Sequence, residues 1–222
     1  MNEHINPNID AMFQAGAHFG YSKTRRHASV AKRIFTTKNR VDIIDIEKTA
    51  LELEKALAFL SDLRANGKII LFVGTKPEAK NIIKAAAERI GMPYVSERWV
   101  GGALTNFSEI KKRIARLVDL RDKKSKNELD IYTKKERLLI DKEIADMEKN
   151  FSGIVDMKKM PDAMLLIDPK KEHIAVTEAT KMHIPTVALL NTDCDMKAVT
   201  YPIVGNDAST SSINYFVSEL TK

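Results

Sequence analysis

Cysteine is nearly absent from this chain: Cys194 is the only one among 222 residues. That excludes an internal disulfide and a zinc knuckle built on paired cysteines. Aromatic residues make up only 6%, with one tryptophan, so any core must be mainly aliphatic. No apolar run approaches the ~20 residues of a membrane helix. The opening MNEHINPNID has neither the basic start nor the apolar stretch of a signal peptide, so the expected setting is cytosolic, with no membrane partner. The histidines at His4, His18, His27, His173 and His183 show no ligand spacing. Neither a GxGxxG loop nor a GxxxxGK loop followed by Ser or Thr occurs, which removes the two commonest nucleotide-phosphate cradles.

What is present is an alternation of apolar runs and helical patterns. VDIIDI (41–46), KIILFV (68–73) and AMLLID (163–168) read as buried parallel strands, with PTVALL (185–190) and the weaker YPIV (201–204) as further ones. Between them, Lys48 to Leu63 carries Leu53, Leu57 and Leu60 on one helical face. Pro77 to Ile90 carries Ile82, Ile83, Ala86 and Ile90 in the same way. Such alternation predicts an α/β fold with a doubly wound parallel sheet in three layers.

Residues 106 to 151 break that rhythm. Asn106 with Glu109, and Thr133 with Glu136, have the spacing of capping boxes, each opening a helix. Phe107, Ile110, Ile114 and Leu117 on the first helix face Ile140, Ile144, Met147 and Phe151 on the second at seam spacing. The pattern predicts an inserted antiparallel coiled-coil hairpin over 106–151, with its tip at Lys123 to Asp130. Residues 1–105 and 152–222 then form one discontinuous α/β domain.

Charge is distributed unevenly. Between Tyr21 and Val41 stand Lys23, Arg25, Arg26, Lys32, Arg33, Lys38 and Arg40 without a single acid. The stretch carries +7 of a net +6, leaving the rest of the chain slightly acidic. A positive field so concentrated attracts polyanions, and the expectation is a mobile surface loop without buried side chains. Two loops could serve a site. Gly74-Thr75-Lys76 follows a strand, with Gly74 expected to make a tight turn, Thr75 and Glu78 to cap the next helix, and Lys76 to remain free. RWVGGALTNF (98–107) places Trp99 beside Arg98 on a glycine turn, where the ring could stack on a base or anchor the core. Asp193-Cys194-Asp195 reads as an Asx-rich turn rather than a metal or nucleophile site.

Several runs together resemble the small-subunit ribosomal protein S-two family over essentially the whole chain. They are AGAHFG (15–20), IIDIEKT (43–49), LFVGTK (71–76), GMPYVSERWVGGALTNF (91–107), PDAMLLIDPKKEHIAVTEATKMHIP (161–185) and YPIVGND (201–207). The resemblance implies a flavodoxin-like domain with a protruding coiled-coil hairpin. It also implies a structural, non-enzymatic role in the small subunit, bound to rRNA between head and body without a cofactor, supporting assembly and translation. Neighbouring small-subunit proteins, and recruitment of ribosomal protein S-one, are implied as well. The chain departs from the family's common GHQTRRWNPKM run, with Tyr21 at the usual histidine. The residues expected to meet RNA are Lys23, Arg25, Arg26, Lys32, Arg33, Lys38, Arg40, Lys76, Arg98, Asn106, Lys111, Lys112 and Arg113. The alternative is an α/β enzyme holding a nucleotide or sugar phosphate at the Gly74 turn.

Overall fold

The computed structural model describes residues 7–222; His4 and most of the terminus read for a signal sequence lie outside them. The main sheet has five parallel strands, β4 (Ile70–Val73), β5 (Tyr94–Val95), β6 (Ala163–Ile167), β7 (Thr186–Leu190) and β8 (Tyr201–Val204), in the order β5-β4-β6-β7-β8. In chain order that is 2-1-3-4-5, the flavodoxin-like arrangement, with its switch point between β4 and β6. Period-two alternation divides the strand residues between two cores. Ile70, Phe72, Leu165, Ile167, Val187, Leu189 and Ile203 face one layer. That layer contains α2 (Ile46–Ala65), α3 (Pro77–Arg89) and α7 (Thr210–Leu220), with α1 (Pro7–Gln14) against α2. Leu71, Val73, Met164, Leu166, Ala188, Leu190 and Val204 face the other, with α6 (His173–Lys181), the loop from Trp99 to Leu104 and the root of the helical pair.

The first expected parallel strand is elsewhere. VDII forms β3 (Val41–Ile44), the centre of a separate antiparallel sheet between β1 (Phe19–Ser22) and β2 (Ile34–Lys38). The reason is visible in its burial: Asp42 and Ile44 are buried while Val41 is exposed, the signature of a strand with one wet face. Asn39 and Arg40 both have positive φ, so a two-residue turn closes β2 onto β3 with Lys38 opposite Val41. Asp45 then caps α2 by accepting from the Lys48 N–H.

The helical pair is α4 (Phe107–Ser125) and α5 (Lys134–Phe151). Ile110, Ile114, Leu117, Ile144 and Phe151 are buried along the expected seam, with Phe107, Ile140 and Met147 packed at its margins. Thr133 and Glu136 form the expected reciprocal capping box. Asn106 does not: its side chain makes no capping bond, and Glu109 pairs instead with Lys112 at 2.7 Å. The first helix also runs further into the expected tip, which folds around buried Leu129.

Candidate nucleic-acid interface

The basic stretch is not an irregular loop but is built of short turns and a strand. Lys23–Arg25 and Ala28–Arg33 are 3-10 turns, and Ile34–Lys38 is strand. Its hydrophobic anchor is Val30, fully buried. Two bonds to Thr192 stitch it to the chain just past β7: Tyr21 N–H donates to Thr192 Oγ1 at 3.0 Å and His27 N–H to the Thr192 carbonyl at 2.8 Å. Gly20 permits that approach, since a Cβ there would lie 2.6 Å from the Thr192 methyl.

The seven cations divide into two kinds. Arg26 grips Asp42 with both forks, Nε–Oδ2 at 2.7 Å and Nη2–Oδ1 at 2.5 Å, while Thr37 donates to the same carboxylate. Asp42 is wholly buried, and the Arg26 guanidinium holds its carboxyl below the usual range. Arg33 pairs with Glu52 at 2.5 Å, and Glu52 also accepts from the Val204 N–H, tying the small sheet to β8. Arg26 and Arg33, expected to be fully exposed, are half-buried, each held by a carboxylate of the protein. Lys23, Arg25, Lys32, Lys38 and Arg40 are exposed and form no close ion pair among the described residues, although Lys23 is near enough to Asp42 to favour its ionised form. Arg25 lies 5.4 Å from the centre of the Tyr21 ring.

Lys76 is also engaged within the protein rather than free. Its ammonium lies 3.2 Å from Asp168, 3.3 Å from Asp207 and 3.4 Å from the Tyr21 hydroxyl. Burial alone would lower its pKa, but the two carboxylates outweigh burial and raise it. Burial, with Asp168 nearby, pushes Asp207 up to about 6 even though Lys76 and Asn191 oppose the shift. Thr75 does not cap α3; its N–H and hydroxyl both donate to Glu172 Oε1, at 2.9 and 2.5 Å, and Lys76 occupies the cap position. Gly74 serves close packing rather than a tight turn, since a Cβ would meet Ile83 at 2.8 Å. The crevice at the switch point, where this fold class places its ligands, is therefore bridged by the protein's own ion pairs.

Trp99 is core. Its ring is buried, and its indole N–H donates to Glu178 at 3.1 Å. Glu178, on α6, also accepts from the backbone N–H groups of Gly102 at 2.8 Å, Leu104 at 2.9 Å and Thr105 at 3.2 Å. Burial would raise its pKa, but these donors outweigh it and hold the carboxylate ionised below its ordinary value. One buried acid thus sets the loop that launches the helical arm. A lone glutamate within the apolar helix HIAVTEATK was the available signal.

Arg98, Asn106, Lys111, Lys112 and Arg113 are all exposed. Lys111 sits 4.9 Å over the Phe107 ring and Lys112 pairs with Glu109, while Arg98 and Arg113 line one groove. In the Asp193 turn, Asp193 pairs with Lys170 at 2.7 Å and Asp195 accepts from the Lys197 N–H. The buried Cys194 thiol is pushed up by burial and neighbouring acids. No acid, cysteine and histidine cluster suited to a metal occurs among the described residues, and no described helix is long and apolar enough to cross a membrane.

A switch-point crevice bridged by ion pairs, a face of exposed cations and a long helical pair suit a scaffold for a polyanion better than a small-molecule site. The family model described as Ribosomal protein S2 matches residues 12–222. The small ribosomal subunit protein uS2 of Nocardia farcinica (strain IFM 10152) is 44% identical over 196 residues, covering 88% of this chain and 69% of that protein. The chain belongs to the ribosomal protein S2 family: it is a structural constituent of the small ribosomal subunit, and its role is not enzymatic.

Proposed function

We propose that the protein holds small-subunit rRNA through the cationic face carried by Lys23, Arg25, Lys32, Lys38 and Arg40, with the helical arm as a second contact. The observation that carries this is the division of the basic segment. Arg26 and Arg33 fix the small sheet through ion pairs, while five neighbours are exposed and form no close ion pair among the described residues. A folded frame bearing exposed cations neutralises phosphates and releases their counterions with only side-chain, not backbone, ordering to offset on binding. The family resemblance supports a place between head and body, a part in subunit assembly, and contacts with neighbouring small-subunit proteins, ribosomal protein S-one among them. Sedimentation of cell extract through sucrose tests the reading. The protein should travel with small subunits and leave them as salt is raised; its complete absence from those fractions would overturn it.

The arm is the separable part. Residues 106–151 face each other along their own seam, and that seam runs on into the core beneath the sheet, with Ile110, Ile114, Leu117, Ile144 and Phe151 in one buried cluster with it. Replacing residues 108–150 by a short linker should leave a cooperative unfolding transition at a lower midpoint. A chain that melted without a transition would show that the insertion is integral to the domain.

A further inference from the structure

Beyond the ends of β4, β6 and β8, one ammonium is shared between two carboxylates. Lys76 Nζ lies 3.2 Å from Asp168 Oδ2 and 3.3 Å from Asp207 Oδ1. Asp207 is wholly buried, and Lys76 is its only ion-pair partner among the described residues. The other polar groups around it bring no positive charge: the Tyr21 hydroxyl from β1, and Asn191, Asp193 and the Cys194 thiol from the chain past β7. Asp193 is already paired with Lys170, and Glu172 adds a further carboxylate within electrostatic reach of Asp168. The crevice therefore carries at least one more negative charge than its lysine balances.

Hydrogen bonds are divided unequally between the two acids. Asp168 accepts from the Lys171 N–H through Oδ1 at 3.1 Å and from Lys76 through Oδ2. Asp207 Oδ1 accepts from Asn191 Nδ2 at 3.0 Å, but its Oδ2 is buried with no hydrogen-bond partner among the described residues. A bare carboxylate oxygen sealed from water is costly, and a proton placed on it removes much of that cost. Repulsion between two acids that compete for one ammonium favours the same proton.

We infer that this crevice is a proton-binding site of the folded protein, which takes one proton on Asp207 Oδ2 as the solution turns mildly acidic. Because Lys76 also reaches the Tyr21 hydroxyl, at 3.4 Å, the same proton tunes the clasp between the small sheet and the strand ends. The position of Asp207, pushed up to about 6, agrees with the geometry. Its folded value stands above the ordinary 3.8, so its contribution to stability is whole below 3.8 and drains as pH rises through about 6. Buried Glu172 is raised too and acts in the same direction, whereas His18, lowered by burial, acts in the opposite one. Wild-type stability against pH thus mixes several groups, and a paired comparison isolates the proton.

Asp207→Asn supplies the neutral shape and keeps an oxygen for Asn191. Melted side by side, the variant should gain on the wild type by roughly 3 to 6 °C between about pH 5 and about pH 8. Carbon NMR of the aspartate carboxyls should show one wild-type signal titrating near 6, lost in the variant. Lys76→Met removes the ammonium that opposes the shift and should move that signal higher still. A difference between variant and wild type that did not depend on pH, or a wild-type protein with no aspartate carboxyl titrating above about 5, would overturn the proton site. The wild-type titration decides even if neither variant folds.

Discussion

Replacing Glu178 with alanine should cost about 4 kcal/mol, a large effect for a residue that touches no expected RNA contact. The substitution leaves the Trp99 indole N–H and three backbone N–H groups, on Gly102, Leu104 and Thr105, without their acceptor. Trp99 and Leu104 are buried, so water reaches these donors poorly, and each unsatisfied group costs ~1–3 kcal/mol before relaxation. In a chain of this size the thermal midpoint should fall by roughly 10 °C. Glu178→Gln keeps one accepting oxygen but turns an N–H2 toward donors, and should fall about midway. The folded state holds Glu178 below its ordinary value of 4.5. Its contribution is therefore complete above that pH and drains away as pH falls through the folded value. Circular dichroism melts against pH, with the red shift of Trp99 emission, would show this. A loss under about 1 kcal/mol would mean the loop is held by its apolar contacts alone.

Neutralising the five exposed cations together, Lys23, Arg25, Lys32, Lys38 and Arg40 to glutamine, should weaken rebinding to stripped small subunits by at least about a hundredfold near physiological salt. If each meets a phosphate, the salt slope should flatten by about 3.5 to 4.5. Stability should change little, since surface substitutions away from special features stay within about 0.5 kcal/mol apiece. The contrasting substitution is Arg26→Gln. It strips a wholly buried Asp42 of its bidentate partner and should destabilise the small sheet by about 3 kcal/mol or more. A folded five-fold variant that kept its affinity and slope would reduce the cationic face to a solvated surface. The opposite pattern, with Arg26→Gln abolishing binding while the fold stayed intact, would show that Arg26 itself meets RNA.

The sequence by itself determined the elements whose signal is local and periodic. The apolar runs at 68–73, 163–168 and 185–190 became β4, β6 and β7, since a strand covered on both faces has no polar positions to spare. The seam from Ile110 to Leu117 and from Ile144 to Phe151 formed as spaced, and Thr133 capped its helix through a contact three residues away. The concentration of charge between Tyr21 and Val41, and the family resemblance, were equally open to reading.

Only the tertiary structure decided which cations are free. Arg26, Arg33 and Lys76 look like their neighbours in one dimension, and their acids stand 16, 19, 92 and 131 residues away, at Asp42, Glu52, Asp168 and Asp207. The same holds for Trp99, whose partner Glu178 is 79 residues distant. It holds too for VDII, whose single buried acid is satisfied by the Arg26 guanidinium from before β2 and by the Thr37 hydroxyl. Local pattern reports what a residue prefers; pairing depends on what folding brings beside it, and in this chain distant acids draw Arg26, Arg33 and Lys76 into ion pairs within the protein.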